Sequence, residues 1–125
     1  MRQDVSTIKV KEICGSHCVG VEDGLKLFQK IIEIIESGRK VCLDFEGVIT
    51  ITSSFLNYSI GKTFGYFKRT SIENLIQWKG VDDSDNQLIN IVIMNAKEYL
   101  AKTKDGLKNT NDVIKRSIIE ENGEF

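Results

Sequence analysis

Apolar and polar residues alternate along Thr7-Ile8-Lys9-Val10-Lys11, a period of two that predicts a half-buried strand running to about Ile13. The next stretch, Cys14-Gly15-Ser16-His17-Cys18-Val19-Gly20, is small and irregular and reads as a loop. Leu25, Phe28, Ile31, Ile32 and Ile35 then recur at helical spacing and form one broad apolar face. Glu22 and Asp23 open that helix, where acids complement the positive end of the dipole, and Gly38 ends it. Val41-Cys42-Leu43-Asp44-Phe45 carries apolar side chains at successive positions, which predicts a central strand covered on both faces. Ile60, Phe64 and Phe67 predict a helix starting near Ser54, with Ser53 or Ser54 as its N-cap. Gly61 and Gly65 inside it suggest close packing or an end near Gly65. A short strand follows over 74–78, and Gly80 turns the chain. Ser84-Asp85-Asn86-Gln87 fits a capping box, and Leu88, Ile91, Val92, Met94, Ala96, Tyr99 and Leu100 give a long helix to about Thr103. Asp105-Gly106 breaks it, Asn111 or Asp112 caps a weaker last helix, and residues 120–125 fray.

Strand, helix, strand, helix, strand, helix is the order of an α/β layer with right-handed crossovers. At 125 residues the chain fits one domain, 1–105, followed by a short C-terminal helical extension, 106–125. No repeat, linker or low-complexity run divides it.

Charge and composition narrow the function classes. Seventeen Lys and Arg against eighteen Asp and Glu leave a formal charge of -1, which argues against a globally basic nucleic-acid binder. No apolar run approaches the roughly 20 residues of a membrane span, and the N-terminus lacks a signal-peptide apolar region. A cytoplasmic location is the default expectation, and the three cysteines then read as thiols.

Four clusters could carry chemistry. Gly61-Lys62-Thr63 looks like the end of a phosphate-binding loop, but Leu56 stands where that motif needs glycine and the triplet falls inside a predicted helix. Cys14, His17 and Cys18 offer three metal donors within five residues. No further His supplies a fourth, and the spacing is Cys-x3-Cys, so the expectation is partly buried thiols and no metal. Asp44 and Glu46 share one side of a strand and read as a strand-end pair of acids. Ser53-Ser54 follows a central strand and opens a helix, so a hydroxyl there lies near the positive end of the helix dipole. A phosphate added at that place meets backbone N–H groups and brings about -1.5 to -2 charges; the plainer alternative is an ordinary cap.

Val41-Cys42-Leu43-Asp44-Phe45-Glu46-Gly47-Val48, then Ser53-Ser54-Phe55-Leu56-Asn57 and Ile60-Gly61-Lys62-Thr63-Phe64-Gly65, resembles the core of the STAS-like domains of unknown function. Val92 to Tyr99 is similar to that family's late helix. The resemblance implies a STAS-like α/β fold with about four strands in a small sheet and helices mainly on one side. In the related anti-sigma-factor antagonists, a serine at the head of the helix after the central strand is phosphorylated by a partner kinase. Ser54, or its neighbour Ser53, is similar in place, whereas Thr52 stands where the antagonists carry Asp.

The expectation is a non-enzymatic regulatory or protein-interaction module of a bacterial signalling kind. Its protein partner would be a histidine-kinase-type ATPase, and the resemblance gives no cofactor. Ser54, Ser53 and Thr52 are the candidate phosphoacceptor region, and Asp44, Glu46 and Asn57 are candidate contacts at the sheet edge. The alternatives are a module that binds a nucleotide or other small ligand, and an assembly subunit or homo-oligomer packing through residues such as Ile114 and Ile118.

Overall fold

The computed structural model describes residues 4–117, with side chains described for residues 4–102. Strand β1 (Val5–Lys9) is followed by a short helix α1 (Val10–Cys14), strand β2 (His17–Cys18) and helix α2 (Val21–Glu36). Strands β3 (Lys40–Asp44) and β4 (Thr50–Ile51) lead into helix α3 (Ser53–Leu56). A π turn over Asn57–Gly61 then continues into α4 (Lys62–Phe67). A 3-10 segment (Thr70–Leu75), strand β5 (Ile76–Lys79) and helix α5 (Asp83–Ser117) complete the order.

The main sheet has three parallel strands in the order β1-β3-β5. Strands added in one direction through right-handed crossovers put their connecting helices on one face. That explains the burial pattern of β3. Val41, Leu43 and the following Phe45 are fully buried, while Lys40, Cys42 and Asp44 on the other face are half-buried. The central position of this strand agrees with its apolar sequence; cover on both faces does not. The predicted four-stranded sheet is also corrected. Thr50–Ile51 pairs in parallel with His17–Cys18 as a separate two-stranded ribbon and does not join the main sheet.

Other boundaries shift for local reasons. β1 ends at Lys9, and residues 10–14 turn into α1, which buries Val10 and Cys14. The predicted 14–20 loop holds β2. The last strand begins at Ile76, after the 3-10 segment has buried Ile72. Asp82, not Ser84, caps α5: its Oδ1 accepts from the Asp85 N–H at 2.8 Å. Asn86 instead accepts a hydrogen bond from the Trp78 indole at 2.8 Å and ties β5 to α5. The α5 backbone runs through Asp105-Gly106 without a break, since a single helical glycine costs only about 1 kcal/mol. The Ile114 side chain, Ile118 and residues 120–125 lie outside what is described.

The helical layer is organised around the π turn, which touches α2, α3, α4 and α5. A π turn takes backbone carbonyls out of the regular i→i−4 ladder, and two buried hydroxyls compensate. Ser59 Oγ donates to the Phe55 carbonyl at 2.9 Å, and Thr63 Oγ1 donates to the Ser59 carbonyl at 2.9 Å. Ile60 of this segment is fully buried in one core cluster with Leu27, Ile31, Phe55, Phe64 and Ile89. Leu27, rather than the half-buried Leu25, carries the α2 face inward.

α2 approaches the α3 end of this layer through Gly24. A Cβ there would lie 2.8 Å from the Phe55 carbonyl oxygen and 2.9 Å from the Tyr58 Cβ. Both neighbours are close to backbone and cannot swing away. Gly24→Ala is therefore expected to lower stability by about 1–3 kcal/mol, as overpacked sites do. A lower urea midpoint with an unchanged slope checks this.

Candidate functional site

The ribbon β2–β4 delivers the chain to the head of α3. Ser16 O accepts from the Ile49 and Thr50 N–H groups at 2.7 and 3.2 Å, and Cys18 O accepts from the Thr52 N–H at 3.2 Å. His17 Nδ1 lies 2.9 Å from Thr50 Oγ1 on the outer face of the ribbon. The sole histidine is thus exposed and engaged with Thr50, while Cys14 and Cys18 are buried. The three residues do not converge on one point, and among the described residues no group of three or more His, Cys, Asp or Glu could hold a metal ion.

Thr52 is the joint between ribbon and helix. Its backbone is extended (φ -114°, ψ 161°), a conformation that suits a β-branched residue. Its hydroxyl donates to the Val19 carbonyl at 3.0 Å and accepts from the Phe55 N–H at 3.2 Å. Its carbonyl accepts from the Leu56 N–H at 3.1 Å. Thr52 is therefore the N-cap that the sequence assigned to Ser53 or Ser54. The reason is that the helix begins one residue earlier than its apolar spacing suggests. With the cap supplied by threonine, Ser53 and Ser54 occupy the first two helical positions. Both are exposed, and neither hydroxyl makes a hydrogen bond among the described residues. Unpaired N–H groups of a first turn and the helix dipole favour negative charge at such a place.

Asp44 and Glu46 lie elsewhere. Asp44 Oδ1 accepts from the Glu46 N–H at 3.0 Å. With Lys9, Lys11 and Glu12 these acids line an open cleft of about 270 Å³ at the carboxyl ends of β1 and β3. In register, Lys9, Asp44 and Lys79 form a row across the three strands. No hydrogen bond connects this cleft to Ser53 or Ser54 among the described residues. After Gly47 (φ +86°) the chain leaves the main sheet for the ribbon, which separates the two groups along the fold. Asn57 is half-buried on the π turn and faces Gly61, its Oδ1 3.7 Å from where a Cβ on that glycine would stand.

Gly61-Lys62-Thr63 spans the end of the π turn and the start of α4, as expected for a helical segment. Lys62 Nζ sits 5.4 Å from the centre of the Phe28 ring. Thr63 is fully buried with its hydroxyl committed to the Ser59 carbonyl. Neither is placed to cradle a phosphate.

The model of the STAS-like domain of unknown function (DUF4325) matches residues 23–86, slightly over half of the 125 residues. The chain belongs to this STAS-like family. No curated protein and no solved structure matches it. The matched span runs from α2 to the first turn of α5 and includes β3, β4, Thr52 and both serines. β1, α1 and β2 precede it, so the STAS-like match takes in one strand of the ribbon and not the other. No helix among the described residues is long and apolar enough to cross a membrane.

The cap can be tested apart from the serines. Thr52→Ala is expected to cost about 1 kcal/mol, while Thr52→Ser keeps most of that stability. Amide exchange at Phe55 in native buffer, faster in the alanine variant and little changed in the serine variant, is the check.

Proposed function

We propose that this STAS-like domain is a regulatory protein-interaction module switched by phosphorylation at the head of α3. Ser54, with Ser53 beside it, is the phosphoacceptor. The partner is a kinase-like ATPase that reads the surface around the ribbon. The observation that carries this reading is the division of labour at residues 52–54. Thr52 performs the capping, so both serine hydroxyls remain exposed and uncommitted at the positive end of a helix.

The surroundings support a protein contact. Val19, whose carbonyl receives the Thr52 hydroxyl, is 46% exposed, and Val21 is 42% exposed. Exposed apolar side chains beside an uncommitted polar pair give a partner something to bury and something to modify. In the transfer, the serine oxygen attacks the terminal phosphorus of ATP held by the partner. The bond to ADP breaks, and the hydroxyl proton passes to a base of the partner. The added group brings about -1.5 to -2 charges, which the first-turn N–H groups accommodate. A partner that had packed against neutral hydroxyls and valines then meets a solvated dianion, and the contact weakens.

Purified chain incubated with native-host lysate and ATP should gain one phosphoryl group, mapped to residues 53–54. The Ser53→Ala/Ser54→Ala double variant should gain none while unfolding at the same midpoint as wild type. Absence of incorporation, or incorporation at other residues, would remove the reading.

A further inference from the structure

A groove of about 280 Å³ opens between α2 and α4, lined by Phe28, Lys62, Gly65 and Tyr66. Its aromatic wall is held in place. Tyr66 is 49% exposed, yet its hydroxyl donates to Glu36 Oε2 at 2.7 Å. The Tyr66 ring meets Phe28 edge-on at 5.8 Å between centroids and Phe67 edge-on at 4.9 Å. At Gly65 the groove has no side chain. The two glycines of this helical run differ in what they face. A Cβ at Gly61 would lie 3.5 Å from Val92 Cγ1 of α5, whereas a Cβ at Gly65 would meet nothing within 4 Å among the described residues. Glycine inside a helix costs stability relative to alanine, and no packing within the domain asks for one at Gly65.

The groove is also charged. Lys62 Nζ lies 5.4 Å from the centre of the Phe28 ring, and among the described residues Lys62 has no ion pair. Lys68 and Arg69, exposed at the exit of α4, have none either. Residues 61–70 thus hold three cations and no acid. Glu36 stands beside the groove, its Oε2 engaged by the Tyr66 hydroxyl. Residues 118–125, Ile-Ile-Glu-Glu-Asn-Gly-Glu-Phe, are the converse. They carry Glu120, Glu121 and Glu124 with no base, beside Ile118, Ile119 and Phe125.

We infer that residues 118–125 of a second copy of this chain dock in the α2/α4 groove, in exchange for the same segment of the first. Apolar side chains of the segment cover Phe28, Gly65 and Tyr66, and its carboxylates face Lys62, Lys68 and Arg69. Length favours a second copy over the chain's own segment. The α5 backbone is helical to Ser117, and Leu100 is its last buried residue among those described. At about 1.5 Å per residue, the helix carries residue 117 about 25 Å beyond Leu100. Eight extended residues reach at most about 28 Å, so the segment would spend almost its whole length in returning to Leu100. A helix projecting from one domain instead delivers the segment to a neighbour. Because the exchange is reciprocal, it closes on a pair of chains and does not grow into a filament. It does not depend on phosphorylation at the serines, since association alone reads it.

Sedimentation equilibrium of the full chain, from about 1 μM to about 1 mM, should show a reversible passage from the mass of one chain to that of two. Raising sodium chloride from about 0.05 M to about 0.5 M should weaken the pair at least about tenfold, because exposed charges are screened. Lys62→Glu, and separately Glu120→Lys with Glu121→Lys, should each raise the dissociation constant at least about tenfold. A chain carrying all three changes should return to within about threefold of wild type, since the reversed charges again attract. Gly65→Leu fills the groove from its own helix. It should leave the chain monomeric while its urea midpoint equals or exceeds that of wild type. A wild-type chain that stays monomeric throughout would overturn the inference. So would a dimer that survives either charge reversal or Gly65→Leu, or a triple variant that associates no better than the separate ones.

Discussion

Everything near the serines depends on how closely α2 can approach the α3 end of the helical layer. Gly24 sets that distance. The Phe55 carbonyl and the Tyr58 Cβ occupy the volume that any larger side chain would need. Because α2 sits so close, Phe55 and Leu56 are fully buried directly after the exposed Ser53 and Ser54. A short helix of four residues has little stability of its own. Here it is held from beneath by burial and from its head by Thr52.

Thr52 joins two systems that are otherwise distinct. One is the two-stranded ribbon, whose bonds run through Ser16 and Cys18. The other is the continuous helical run from α3 through the π turn to α4. Its hydroxyl donates to the first and accepts from the second, so a single oxygen carries both links. The ribbon in turn rests on the segment around Cys14 and Cys18, whose thiols reach back to Asp23 in α2 and to the Gly15 turn. The exposed serines are thus presented by a closed circuit of contacts rather than by a free loop.

Much of this was legible from the residues, and the misses share a cause. α2 and the central strand follow from long, strongly patterned stretches, and the STAS-like core was visible in the run from Val41 to Gly65. What periodicity could not show was pairing between distant short segments. His17-Cys18 and Thr50-Ile51 have two residues each, too few to display a period of two, and their meaning lies only in each other. Capping was misplaced in the same manner at both helices. Thr52 and Asp82 each stood one or two residues before a more conspicuous polar residue, and the choice was made by backbone geometry. The acids at 44 and 46 and the serines at 53 and 54 are near in sequence, yet Gly47 and the ribbon lead the chain away between them. The covering of β3 on one face alone follows from strand order, which no single strand's composition contains.

The π turn has a further consequence, one of angle. It amounts to an extra residue inserted in a helix, and each residue of an α-helix advances the chain by about 100° around its axis. The faces of α3 and α4 are therefore out of phase with what an unbroken α-helix would give. Phe55 and Phe64 both reach the core, nine residues apart, because the turn between them resets the rotation. The direction in which Ser53 and Ser54 point, relative to the buried side of α4, is thus fixed by a count of residues between Thr52 and Phe64. A change in that count would turn the serine pair around the axis without altering a single atom of it.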